Sequence, residues 1–271
     1  KLLQVTGLQV YIQFMVDFDS LKIAAGVIFI MMSGVWIASL YLKDVSIVDI
    51  FWGFGFGAIA LTLLLANSGG QAQTILTFLV SLWSLRLGLH LFIRWSAEAE
   101  EDHRYQKMRR NNPGFWWRSL YIVFGLQGVL MWVIALPVQI ALGVPAVSAN
   151  LWIYPAALIS VSGLLIETFA DLQLTAFRKN SDNKGKVLNT GLWSLSRHPN
   201  YFGDALFWWG IWCVCLTITL KTLFVIFAPA LMTFLIIKIS GADLLEKSLV
   251  KNRPEYKDYM AQTNRFIPKL F

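Results

Sequence analysis

The sequence predicts an all-α integral membrane protein of seven transmembrane helices, and three observations predict it. Of 271 residues, 56% are hydrophobic and only 14% charged, where a soluble domain carries about a quarter charged. The apolar residues gather into runs close to the roughly 20 residues that cross a bilayer as a helix. Within those runs the pattern does not alternate, as the strands of a membrane barrel would.

The runs place spans at Leu21 to Leu42, Ser46 to Ala66, Thr74 to Trp95, Phe115 to Leu142, Leu151 to Ala170, Tyr201 to Thr219 and Thr222 to Ser240. Residues 1–271 read as a single membrane domain. With seven spans, every basic residue except Lys1, Lys22, Arg86, Lys221 and Lys238 falls on one face. By the positive-inside bias that face is cytoplasmic and holds the C-terminus, in a bacterial inner membrane or one of the endoplasmic-reticulum type. The net charge of +7 follows from this asymmetry and gives no reason to invoke nucleic acid. Nothing in the sequence calls for an obligatory protein partner. A start upstream of Lys1 is expected, since the sequence opens without Met and no signal peptide is recognisable.

Residues 1–20 read as an amphipathic interfacial segment. The first span has no ionisable residue between Lys22 and Lys43 and reads as scaffold facing lipid. The second opens with DVSIVDIFWGFGFG, where Gly53 and Gly57 make a small-residue face for close helix packing. Asp49 lies about a turn inside the apolar region, and an intramembrane carboxylate usually faces the bundle interior or a water-filled cavity. In the third span Arg86, His90 and Arg94 recur at i, i+4 and i+8 on one stripe that must meet anions, either neighbouring carboxylates or a ligand.

The loop SAEAEEDHRYQKMRRNNPG reads mostly as a solvated face, although Arg104 and Tyr105 pair a guanidinium suited to phosphate with a ring suited to stacking. Phe115 to Leu142 reads as an uncharged wall beyond Arg118. The fifth span ends in ETFADLQLTAFRKN, which puts Glu167, Asp171, Thr175 and Arg178 on a polar face. It runs into the densest stretch of the chain, GLWSLSRHPNYFGD, from Gly191 to Asp204. Proline disfavours helix at the preceding residue, so a helix starts near Pro199 and places Asn200 and Asp204 one turn apart. An Arg197–His198 pair ahead of a fresh helix N-terminus suits a phosphate, and a juxtamembrane loop meeting lipid headgroups suits the same residues. Lys238, Asp243, Glu246 and Lys247 return beside this stretch. The tail RPEYKDYMAQTNRFIP reads as a short capping helix, with Tyr256 and Tyr259 equally suited to interfacial anchoring.

Arg94, Arg104, Arg178, Lys186 and Arg197, with acids available for hydroxyls or an amide, suit a dinucleotide. There is no strand–turn–helix context or GxGxxG for a Rossmann domain, no metal-ligand spacing among His90, His103 and His198, and no assignable nucleophile. Redox chemistry by a bound cofactor remains.

The runs SRHPNYFGD, ETFADLQLTAF and FIP together resemble the steroid 5-alpha-reductase family, more closely its uncharacterised bacterial and plant branch. RHPNYFGD is also similar to the sterol reductases that use NADPH. A looser RHP–aromatic–Gly pattern occurs in isoprenylcysteine carboxyl methyltransferases, which use S-adenosylmethionine. The reductase resemblance implies a seven-helix fold with NADPH near the cytoplasmic face, held mainly by residues 150–271, and a lipophilic enone or steroid-like substrate entering from the bilayer. By position it implies that Asn200 and Asp204 hold the nicotinamide–ribose part, and that Asp171, Arg178 and Lys186 are cofactor positions. Arg94, Asp102 and Arg104 match further ones. Glu167, Arg197, His198 and Glu246 complete the candidate binding set. The family pattern HYFHR reads HLFIR here, so its substrate-polarising tyrosine corresponds to Leu91, and the second-span Gln-Glu pair is absent, leaving Asp49. The expected activity is NADPH-dependent reduction of a conjugated C=C bond, with His90 backed by Asp49 as the acid and Tyr201 as second choice. The alternatives are an isoprenylcysteine-type methyltransferase and a nucleotide-binding membrane protein without turnover.

Overall fold

The computed structural model describes residues 18–98, 100–239, 246, 250, 253 and 255–269. Among these the chain is all-α, with seven helical spans long and apolar enough to cross a membrane. They are α1 (Phe18–Leu42), α2 (Ile47–Asn67), α3 (Gln71–Ala97), α5 (Phe115–Ile134), α7 (Ile153–Lys179), α9 (Pro199–Ile218) and the stretch Leu220–Ile239, whose central helix Phe227–Phe234 is α10. Four short helices join them: α4 (His103–Asn111), α6 (Leu136–Leu142), α8 (Leu192–Leu195) and α11 (Tyr256–Gln262). The interfacial segment expected over residues 1–20 lies outside the described residues up to 17, as do Asp243 and Lys247. The chain divides into two compact units, Lys1–Leu151 with Cys215–Ala228, and Trp152–Val214 with Pro229–Phe271.

In the first unit α2 and α3 lie backbone to backbone. A Cβ on Gly53 would sit 3.0 Å from the Gly88 nitrogen, and one on Gly57 would sit 2.9 Å from the Ser84 Cβ. Small residues allow this approach, and between membrane helices packing and hydrogen bonds replace the hydrophobic drive. Ser84 uses it: its hydroxyl donates to the Gly53 carbonyl at 2.5 Å and accepts from the Gly57 amide at 2.7 Å. A side chain is thereby spliced into the hydrogen-bond ladder of α2, one of the recognised ways to bend a helix.

Two expectations change here. The run Phe115 to Leu142 is not one helix. It passes through a π-turn at Leu120–Gly125 and ends at Ile134, because Pro137 lacks an N–H and its ring opposes the carbonyl four residues back. The loop after α3 is also more than a solvated face. Asp102 accepts from the Arg104 amide at 2.9 Å and so caps α4, whose last turn carries Arg109 and Arg110 at the favourable dipole end. Glu101 binds Arg109 at 2.8 Å and the Val45 amide at 2.8 Å, which ties α4 to the turn before α2.

In the second unit α7 and α9 touch through glycines. A Cβ on Gly203 would collide with the Glu167 amide and lie 2.7 Å from the Gly163 carbonyl, and one on Gly210 would lie 2.5 Å from the Ser160 nitrogen. Glu167 and Asp171 on α7 are thereby brought against the first turns of α9. Since the obstacle is backbone, Gly203→Ala is expected to lower the thermal midpoint in detergent by roughly 2–10 °C, the range for overpacking a site that cannot yield. Gly34→Ala in α1, with nothing within 4 Å of the new Cβ, is the control and leaves the midpoint unchanged or higher.

Candidate functional site

In the first unit the ionisable groups converge on Asp49, in the first turn of α2. Arg104 donates to its Oδ2 at 2.7 Å, and the Tyr105 hydroxyl to its Oδ1 at 2.6 Å. Gln127 of α5 reaches the same Oδ1 at 3.3 Å and the Tyr105 oxygen at 3.1 Å. Arg104 is braced from its other side by Asp102 at 3.0 Å, so the residue that caps α4 also aims the guanidinium. Burial by itself would raise the Asp102 carboxyl, but the hydrogen bonds and charge of Arg104 outweigh it and hold the group below its ordinary range. Burial and the neighbouring Asp49 carboxylate push the Tyr105 hydroxyl well above its usual value. Tyr105 therefore keeps its proton and donates it. Asp49, accepting at both oxygens, is placed as an acceptor. The Tyr105 ring, expected as a stacking surface, is only 5% exposed and faces inward.

Beside this network lies a small, part-open recess of about 10 Å³, lined by Asp49, Ile50, Leu91, Arg94, Trp95 and Asp102 among others. Asp49 and Leu91, the two positions at which the sequence departs from the reductase pattern, line the same space. Arg94 is half-exposed, 3.7 Å from Glu98 and 3.9 Å from Asp102. Arg86 and His90 lie half-buried further along the same face of α3.

The second unit holds the motif stretch. Helix α9 begins at Pro199, as expected. Glu167, Asp171 and Asp204 are 4%, 8% and 8% exposed, while Arg178 and Lys186 are exposed beyond them. Asn200 donates from Nδ2 to Asp171 Oδ1 at 3.1 Å. A carboxylate oxygen only accepts, so it fixes which amide atom faces it. The other atom, Asn200 Oδ1, is buried and has no hydrogen-bond partner among the described residues. An unsatisfied buried acceptor costs about 1–3 kcal/mol, and such an atom at the head of the RHPNY helix fits a ligand donor, a ribose hydroxyl or a carboxamide.

Arg197 and His198 are arranged differently. Both meet Glu246 Oε1, Arg197 through Nε at 2.8 Å and His198 through Nε2 at 3.0 Å. Arg197 also donates to the Met260 carbonyl at 2.9 Å. Burial would raise the Glu246 carboxyl, but the hydrogen bond from His198 and the Arg197 charge draw it below its ordinary range. The Tyr201 ring stacks on His198, with centroids 5.4 Å apart and planes 8° apart. The capping helix read from the tail is α11. Its tyrosines are buried and not interfacial: Tyr259 donates to the Trp193 carbonyl, and burial with the Glu246 charge pushes the Tyr256 hydroxyl up to about 12.

The sequence reading missed Gln127, Asn264 and Arg265. A lone amide in the apolar wall was a readable signal for Gln127. Asn264, which takes the Arg197 amide at its carbonyl at 2.9 Å, and Arg265, 3.5 Å from Glu246, carried none.

Fold and site together define a helical membrane protein with a charge network in each unit, part-buried around Asp49 and buried around Glu246. The chain belongs to the DUF1295 family, a protein family of unknown function that includes steroid 5-alpha-reductase-like proteins and whose pattern matches residues 35–263. An uncharacterized protein of Schizosaccharomyces pombe is 25% identical over 269 residues, covering 89% of this chain and 78% of that protein. A protein of Ustilaginoidea virens named "Probable O-methyltransferase" is 42% identical over 53 residues, 20% of this chain and 19% of that one. No solved structure matches.

Tyr105→Phe removes one donor from Asp49 and is expected to cost about 1 kcal/mol. Arg104→Gln costs more, roughly 1–3 kcal/mol, because it strips the carboxylate of its cation while solvent at the 37% exposed guanidinium screens part of the loss. Because Asp102 is depressed in the folded state, its stabilisation is present above the unfolded value near pH 4 and is lost as pH falls through the lower folded one. Thermal midpoints measured at pH 6 and pH 3 are expected to differ less in Arg104→Gln than in the parent protein.

Proposed function

We propose that the protein is a membrane-embedded, NADPH-dependent reductase of a conjugated C=C bond in a lipophilic substrate, an enone or steroid-like molecule, with its C-terminus in the cytoplasm. The observation that supports it most is Asn200: its amide nitrogen is committed to Asp171 and its buried oxygen is open to a donor. The family membership and the RHPNYFGD resemblance point the same way.

Asn200 and Asp204 would hold the nicotinamide–ribose part, with Asp171 orienting Asn200. Arg178 and Lys186, exposed beyond the acids, suit the phosphates by charge and position. NADPH, when bound, supplies the hydride. The chain's own part is to position the carrier, exclude water and deliver a proton to the substrate. His90 is the candidate donor and Tyr201, in the first turn of α9, the second. Asp49 serves as an acceptor that orients a neighbour or a substrate hydroxyl.

A second reading, an S-adenosylmethionine-dependent methyltransferase, draws on the 53-residue similarity to the O-methyltransferase. A third is a nucleotide-binding protein without turnover. Calorimetric titration of purified protein with NADPH and S-adenosylmethionine separates them. NADPH is expected to bind, roughly 2–10-fold more weakly in Asn200→Ala and roughly 10–100-fold more weakly in Asp204→Ala, the ranges for losing a neutral and a charge-assisted hydrogen bond. Tight S-adenosylmethionine binding without NADPH binding would select the methyltransferase. NADPH binding with no oxidation across a panel of enones and sterols would select the third reading.

A further inference from the structure

Arg197 and His198 of the RHPNY run share one carboxylate that lies 48 residues away in sequence from the nearer of them. All three groups are closed off from solvent: Arg197 is 8% exposed, His198 3% and Glu246 8%. A guanidinium matched by a carboxylate at 2.8 Å and by a backbone carbonyl at 2.9 Å has most of its donors directed into the protein, away from any phosphate. The same stretch is stitched to the C-terminal segment by backbone. The Arg197 amide donates to the Asn264 carbonyl at 2.9 Å, and the Lys269 amide to the Leu195 carbonyl at 2.8 Å. Ser196 Oγ donates to the Phe266 carbonyl at 2.9 Å, and Phe266 meets Phe202 of α9 edge to face at 5.8 Å.

We propose that Glu246 is a positioning residue, which by gathering Arg197 and His198 fastens residues 255–269 across the start of α9 and sets Asn200 and Tyr201 in the orientation a ligand meets. The link to Tyr201 is the ring stack on His198, whose own orientation is fixed by Glu246. The link to Asn200 is the helix start, two residues after His198. Without Glu246 the buried Arg197 guanidinium would lose its counter-charge and His198 Nε2 its partner, and the ties to the C-terminal segment would have to hold around an uncompensated buried charge. The role as set out rests on the reading that Asn200 takes the nucleotide carrier. The fastening itself does not, and the experiment keeps the two apart.

Full-length, ligand-free protein in detergent is compared as parent, Glu246→Gln, Arg197→Gln and the double variant. Three quantities are read: the rate of tryptic cleavage at Lys257 and Arg265, the fluorine resonance of 3-fluorotyrosine placed at position 201 in the folded protein, and the NADPH dissociation constant. Each single variant is expected to speed cleavage by about tenfold or more and to shift the resonance. The double variant should exceed the worse single by no more than about twofold, since both changes break one interaction. General loss of stability would not move the resonance of the folded fraction. Unchanged cleavage and resonance in Glu246→Gln, with weakened NADPH binding in Arg197→Gln alone, overturns the proposal and makes Arg197 a ligand contact. A parent protein that fails to bind NADPH while the coupled response persists removes the cofactor reading and supports the positioning role. Should Glu246→Gln not fold, Arg265→Gln, which removes the outer contact at 3.5 Å, is expected to shift the resonance in the same direction by less, and no shift overturns the proposal.

Discussion

A carboxylate largely withdrawn from water has to find donors within the protein, and this constraint acts in both units, on Asp49 at 21% side-chain exposure and on Glu246 at 10%. Taking an ion out of water costs several kcal/mol even after relaxation, so Asp49 and Glu246 each draw in everything that can neutralise them. Around Asp49 the constraint recruits Arg104, Tyr105 and Gln127, and through Arg104 it fixes the short helix α4. Around Glu246 it recruits Arg197, His198 and Arg265 and through them the C-terminal segment. The short helices α4 and α11 are therefore held by electrostatics and hydrogen bonds, while α2 meets α3, and α7 meets α9, by close packing at glycine. The two means cooperate in the second unit: Gly163, Gly203 and Gly210 let α7 and α9 touch, and only then can Asp171 reach Asn200.

What the sequence disclosed was whatever obeys a local rule. Apolar runs mark the spans, proline marks the start of α9, and the spacing of Gly53 and Gly57 marks a contact face. Proline also held the information that α5 stops before Pro137, and Asp102 followed by a helix-forming basic run held the start of α4. Both signals stood inside stretches whose dominant pattern, long apolarity or mixed charge, spoke louder. The networks were not legible because they are not local. Arg104 lies 55 residues from Asp49 and Arg197 lies 49 from Glu246, and no periodicity records which carboxylate a distant guanidinium will choose. The candidate residues were named, but partners were assigned to a ligand that the fold assigns first to the protein itself. The Ser84 splice into α2 was unreadable for the same reason, since a serine facing two glycines on another helix has no signature along its own.

The recess beside Asp49 bears on chemistry through what its walls can offer. Stabilising an enolate oxygen calls for a hydrogen-bond donor aimed at it. Leu91 supplies none and Asp49 already accepts from Arg104 and Tyr105, so the donors this recess offers come from Arg94, whose guanidinium is half-exposed beside them.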